Sequence, residues 1–239
     1  MALTKVDKTL IESVSVADLV TTGTADATTY LRGDGSWAAI ATPAATGFTS
    51  VTVYETTPGS NWSRPTGVTK VIVECQGAGG GGANHGSDQS SSGGGGGGGY
   101  ACKFIDVSSV TEAVITVGVA GAGGGVGGTG TETKWLDTGY GGSSTVIGGG
   151  GTGHPKTSHA TAAGGTASGG DFHMVGQNGY GEKAKMAGSS QLGRGGQNLL
   201  HSETPALSPG VGYGGGGGGK TGSAASPGSA GIMIVWEYK

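Results

Sequence analysis

Gly93–Gly99 is an unbroken run of seven glycines, and no turn uses that many. Glycine has no Cβ and loses more conformational entropy on folding than any other residue. A folded chain therefore uses it where φ must be positive or where backbones must approach closely. One or two glycines make a turn, whereas a run of seven calls for extended backbone packed against backbone along its length. Shorter runs repeat the demand at Gly79–Gly82, Gly123–Gly125, Gly148–Gly151 and Gly214–Gly219. Only 6 of the 57 glycines fall in residues 1–76, leaving 51 in residues 77–239, so the demand belongs to the C-terminal part. One conformation that meets it is a polyproline-II-like helix with about three residues per turn and no internal hydrogen bonds, which must find partners on neighbouring segments or in water. The chain has no strict Gly-X-Y period, which excludes collagen.

The competing expectation is disorder, since 57 glycines and 7 prolines in 239 residues reach the share typical of low-complexity chains. Strand-like segments argue against it by framing the glycine: Val71–Cys75, Tyr100–Val107, Ala113–Ala120 and Ile232–Tyr238. Hydrophobic residues make up 34% and aromatic residues 6% of the chain, too little for a large apolar core. Backbone hydrogen bonding and association between chains are expected to supply what burial supplies elsewhere. The formal net charge is -3, charged residues are 12%, and no basic cluster appears, which argues against a nucleic-acid partner. No apolar leader segment opens the sequence, and Ile232–Trp236 is far too short to span a bilayer, so a soluble chain without membrane insertion is expected. Cys75 and Cys102 lie in two expected strands that could be neighbours. A cross-strand bridge is geometrically open, and two buried thiols are the favoured reading.

Residues 1–46 read differently. Leu3, Val6, Leu10 and Val14 keep a helical spacing that is lost by Val20. A segment with so few large apolar residues needs partners, and trimeric intertwining is the expected arrangement. Further on, Gly33 and Gly35 predict a tight turn before Trp37.

The run Thr29-Tyr-Leu-Arg-Gly-Asp-Gly-Ser-Trp37 resembles a short element that recurs in bacteriophage tail fibre proteins, usually just upstream of the receptor-binding tip. The remainder is similar to the glycine-rich C-terminal domain of such fibres. The marks are Trp62-Ser-Arg-Pro-Thr-Gly-Val68, then Val71–Cys75 running into Gly77–Gly82, Gly93–Gly99 followed by Tyr100, Ile115–Gly118, Gly214–Gly219, and Gly228–Gly231 leading into the last strand. A looser likeness is to the distal adhesins of T-even-like phages, which stack polyglycine-II helices into a sandwich and display variable loops at one end. The resemblance implies an all-β fold with a short fibrous, trimerising segment over residues 1–46 and a glycine-rich, β-sandwich-like tip domain over residues 47–239. Whether the glycine runs form polyglycine-II helices or loops of the sandwich stays open. It also implies a homotrimer in the virion tail fibre, assembled in the host cytoplasm alongside other tail fibre or baseplate proteins. The function implied is attachment to a host cell-surface glycan or outer-membrane protein, with no cofactor; the alternative is a structural fibre or connector without direct receptor binding.

Other motifs carry less. Gly214–Thr221 matches a phosphate-binding loop letter for letter, but neither the strand before it nor the helix after it is expected, and both are needed to aim N–H groups at phosphate. Arg32-Gly33-Asp34 is an integrin-type tripeptide and also a plain turn sequence. The five histidines lack neighbours at metal-ligand spacing, and no pair of carboxylates is placed for glycoside hydrolysis. No catalytic role is expected.

Recognition is therefore assigned to the polar inserts between glycine runs: Ala83–Ser92, Thr129–Tyr140, Thr152–Ala163 and Asp171–Ser208. Aromatic faces stack on sugars, while amide, hydroxyl and imidazole groups take their hydroxyls. The candidate receptor contacts are Trp135, Tyr140, His154, Phe172, His173 and Tyr180, with Trp135 equally suited to plugging a small core. Trp62 and Trp236 flank expected strands and read as structural.

Overall fold

The computed structural model describes residues 28–33, 35–40, 46–84, 93–137, 144–156, 160–180, 212–219 and 224–239. Two compact units divide the chain, Met1–Thr46 and Gly47–Lys239. Every regular element among the described residues is a β-strand.

In the first unit, β1 (Thr29–Leu31) pairs antiparallel with β2 (Trp37–Ala39). Gly35 closes the hairpin with φ 79°, a conformation that favours glycine. Its N–H donates to the Arg32 carbonyl at 3.0 Å, and the Arg32 N–H donates to Ser36 at 2.8 Å. Arg32 and Gly33 thus belong to the expected turn. The helical spacing at Leu3–Val14 lies outside the described residues.

The second unit begins with two five-stranded antiparallel sheets. The first has the order β12 (Phe172–Met174), β6 (Tyr100–Asp106), β5 (Lys70–Gln76), β14 (Ile232–Tyr238), β3 (Phe48–Tyr54). The second has the order β11 (Ala167–Ser168), β9 (Thr145–Gly148), β8 (Thr133–Asp137), β7 (Glu112–Thr116), β4 (Trp62–Ser63). A short pair joins β10 (Thr161–Ala162) to β13 (Gly179–Tyr180). Alternation along the strands builds the core: Val71, Val73 and Cys75 of β5 and Met233 and Val235 of β14 turn inward against Ala113, Ile115, Trp135 and Val146 of the other sheet. The Trp62 and Trp135 rings lie 5.1 Å apart at its centre. Glu237 is buried beside them, accepting from Trp62 Nε1 at 2.8 Å and from the Ser50 hydroxyl.

Period-two alternation also decides the cysteines. β5 and β6 are neighbours, but Cys75 is opposite Ala101 and Cys102 is opposite Glu74. The two thiols therefore face opposite sides of one sheet and both are free, so the cross-strand bridge left open by the sequence does not form.

Beyond the sandwich six of the strands continue as glycine-rich rods. β5 runs into 77–83, 93–99 runs into β6, β7 into 117–124, 127–131 into β8, β9 into 149–154, and 225–231 into β14. The hydrogen bonds of the rods repeat every third residue. Gly77, Gly80 and Ala83 donate to Gly99, Gly96 and Gly93; Ala78 and Gly81 donate to Thr131 and Gly128; Gly79 and Gly82 donate to Ser229 and Ser226. The carbonyls of the same rod accept from three further rods: Ala78 and Gly81 from Gly151 and His154, Gly79 and Gly82 from Gly121 and Gly124, and Gly80 from Gly217. Rod 77–83 is thus surrounded by six others, which is the packing of threefold, polyglycine-II-type helices and not of a flat sheet. Both forms left open by the sequence coexist, with rods at one end and a sandwich at the other.

Close packing, not backbone conformation, demands glycine here. None of the glycines in rods 77–83 and 93–99 has a positive φ. A Cβ on Gly80 would stand 2.0 Å from the Thr152 carbonyl oxygen, and one on Gly98 2.0 Å from that of Gly77. With neighbours this near, the rods contribute almost no side chains to the apolar core, and inter-rod backbone hydrogen bonds worth about 1 kcal/mol net each hold them together.

Candidate functional site

Rods 77–83, 117–124, 149–154, 175–180 and 214–219 all run outward from the sandwich, so their far ends lie at one end of the lattice. The register shows it. Ala83 bridges both Gly93 and Gly124, and the Asn84 N–H donates to Gly124 at 2.7 Å. At the same level Gly82 donates to Ser226, Gly94 to Tyr180 and Gly127 to His154, and a Cβ on Gly219 would meet Gly93. The connections after Asn84, Gly124, His154, Tyr180 and Gly219 therefore all start at the level of the lattice farthest from the sandwich. Rods stripped of side chains can recognise little, so chemistry concentrates where the chain turns.

His154 organises one of these turns. Its ring is buried, with Nε2 donating to the Ala160 carbonyl at 3.0 Å and Nδ1 accepting from the Lys156 N–H at 3.2 Å. Burial holds its pKa below the usual histidine value, with the Ala160 bond opposing the shift. The ring is therefore neutral at pH 7 and protonated only on Nε2. Lys156 has φ 57°, a left-handed conformation that costs a non-glycine residue about 1–2 kcal/mol, and the imidazole bond to its N–H helps to hold it there. His154 thus shapes the turn and is not exposed as a receptor contact, a correction to the sequence reading.

Tyr180 stands at the same end on β13 and is 48% exposed. Trp135 takes the core role, one of the two it was equally suited to: it is fully buried in β8, and the insert expected over Thr129–Tyr140 is rod and core strand up to Asp137. Phe172 and His173 are exposed but belong to β12, at the sandwich and away from the rod turns. They point to opposite faces of their sheet, and the neighbouring Asp171 carboxylate accepts from the Phe104 N–H at 2.9 Å. Tyr140 lies outside the described residues. Of the five that lie among the described residues, His154 and Tyr180 share the outer end of the lattice.

Sequence reasoning missed the turn at Gly124–Val126, where Val126 is 61% exposed. Its only signal is a single valine interrupting a glycine run. The glycines of the phosphate-loop match, Gly214–Gly219, lie in a rod: the Gly214 and Gly217 N–H groups donate to Ala230 and Gly80 and are not free to cradle an anion. Among the described residues no group of three His, Cys, Asp or Glu side chains could hold a metal ion. Trp62 and Trp236 are structural, each donating its indole N–H to a carboxylate, Glu237 at 2.8 Å and Glu74 at 2.7 Å.

No protein-family model matches the chain, and no curated protein matches it.

Proposed function

We propose that the chain is the adhesin of a bacteriophage tail fibre, binding a host cell-surface glycan or outer-membrane protein through the turns at the outer end of its glycine lattice. Residues 1–46 join the fibre and trimerise, and residues 47–239 form the tip. The observation that carries this reading is the convergence of connections from five parts of the sequence at one end of a rigid scaffold. Lattice bonds run between backbones, so the turns can change length and composition without disturbing the support. Recognition is non-covalent. Each tip binds weakly, and three copies per fibre raise the effective concentration. Tyr180 supplies an exposed aromatic face for a sugar ring or an apolar side chain.

The test is adsorption. Fluorescently labelled full chain should coat host cells and block phage adsorption, and Tyr180→Ala should weaken both without lowering the melting temperature. A chain that neither coats cells nor blocks adsorption contradicts the proposal.

A further inference from the structure

The outward face of the sheet containing β3 carries an apolar surface that the adhesin reading leaves unused. Phe48, Val51 and Val53 of β3, Phe104 of β6 and Phe172 of β12 are 58%, 43%, 50%, 52% and 55% exposed. Ile72, Ile234 and Trp236 fill the rows between them, since Val51, Trp236, Ile72 and Phe104 are register partners, as are Val53, Ile234, Glu74, Cys102 and Phe172. With three half-exposed phenylalanines and two valines the open apolar area is on the order of 500 Å², at the upper end of the largest patch on an ordinary monomer.

The charged groups on this face are already hydrogen-bonded or ion-paired. Glu74 accepts from the Tyr100 hydroxyl at 2.6 Å and from Trp236 Nε1 at 2.7 Å, and Lys70 pairs with Asp106 at 3.5 Å in one corner. Covering the face would leave none of these groups without a partner, which is what burial requires. The sheet edge points the same way. The other edge strands have three residues in β12 and two each in β4 and β11, short enough to resist pairing, whereas β3 is an edge of seven residues. Its sequence, Phe-Thr-Ser-Val-Thr-Val-Tyr, holds no charge, glycine or proline to discourage a neighbour.

We propose that this face, with the β3 edge, is an interface between copies of this chain. A second copy suits it because two such patches facing each other bury about 1,000 Å² in total, the lower bound for a specific interface, and the two uncharged β3 edges can add strand pairing to it. Lys70 and Asp106 offset each other, which leaves Glu74, held by two neutral hydrogen-bond donors, as the single uncompensated charge on this face of each copy. The contact lies in residues 47–239 and is separate from the assembly assigned above to residues 1–46.

The experiment compares the full chain with Val51→Glu/Val53→Glu, with Phe104→Lys on a different strand, and with Val119→Glu on the lattice as a control. Native mass measurement on dilution is paired with hydroxyl-radical footprinting of Phe48, Phe104 and Trp236. The parent should be oligomeric with those rings protected. Both face variants should dissociate at a concentration at least about tenfold higher, with Phe48 and Trp236 becoming reactive, while the control behaves as the parent. Rings equally reactive in the parent and in Val51→Glu/Val53→Glu overturn the inference, whether the chain is a monomer or assembles through residues 1–46. Loss of cell binding by the face variants with unchanged mass and footprint also overturns it, because the occupant is then a host molecule. Cell binding that survives in variants that dissociate leaves the adhesin reading intact.

Discussion

Replacing Gly81 by alanine would put a Cβ 1.9 Å from the Ala122 carbonyl oxygen, 2.4 Å from its carbon and 2.9 Å from the Gly123 nitrogen. Gly81 has no positive φ, so alanine fits the backbone conformation and the whole effect is steric. Reaching ordinary van der Waals contact requires rod 117–124 to retreat by about 1.5 Å. That movement breaks the bonds from Gly121 to Gly79 (2.9 Å) and from Gly124 to Gly82 (3.2 Å), which join the same two rods. Each bond contributes about 1 kcal/mol and overpacking costs about 1–3 kcal/mol, so the loss is about 3–5 kcal/mol. Total stabilities are about 5–15 kcal/mol, and a domain of this size loses about 2–4 °C per kcal/mol, giving a fall in melting temperature of about 6–20 °C. Gly125→Ala is the control: nothing lies within 4 Å of the added Cβ, and its effect should stay below about 1 kcal/mol. Thermal and urea unfolding read both variants. If Gly81→Ala melts within about 2 °C of the parent, close backbone packing is not what selects glycine in the rods.

Trp135→Ala should cost about 3–5 kcal/mol by opening a cavity beside Trp62, seen as a lower urea midpoint, while any turn-end binding that persists in the folded fraction is unchanged. For His154 the folded pKa lies below the ordinary value of 6.5, so its contribution is complete above that value and is lost as pH falls through the folded pKa. Urea midpoints between pH 7.5 and 5 should therefore decline more steeply in the parent than in His154→Gln, and parallel declines would refute the buried neutral imidazole. Burial pushes both thiols up, most strongly Cys75. A thiol reagent at pH 8 should label half-buried Cys102 slowly and Cys75 only after unfolding, and a disulfide found in the native chain would contradict the opposite-face assignment.

Strands β5, β6 and β14 are legible in the sequence because apolar residues alternate along them over most of their length. β8 is not, since two of its three core-facing residues, Thr133 and Asp137, are polar, leaving Trp135 to look like an aromatic in a loop. β3 hides for the opposite reason: its valines, Val51 and Val53, face outward. The longest glycine runs announce close-packed backbone, and rods 77–83 and 93–99 follow from them. Rod 117–124 is obscured by Val117, Val119 and Ala120, of which Val119 lies on the lattice periphery, 68% exposed, where a side chain meets solvent. The candidate site was the least legible part. Its unity depends on registers between residues as distant as Gly82 and Ser226, which spacing along the chain does not reveal. The polarity of His154 suggests a receptor contact, yet the ring acts inward, on the Lys156 N–H and the Ala160 carbonyl.

The glycine runs form a hydrogen-bonded scaffold, and native-state amide hydrogen exchange is the test of it. The amides of Gly79–Gly82 and Gly94–Gly98 donate to neighbouring rods, so they should exchange as slowly as those of Val71–Gln76, only through global opening. Exchange of these amides within seconds, at the rate of an unprotected chain, while Val71–Gln76 stay protected would contradict the scaffold and leave the connections at its outer end without support.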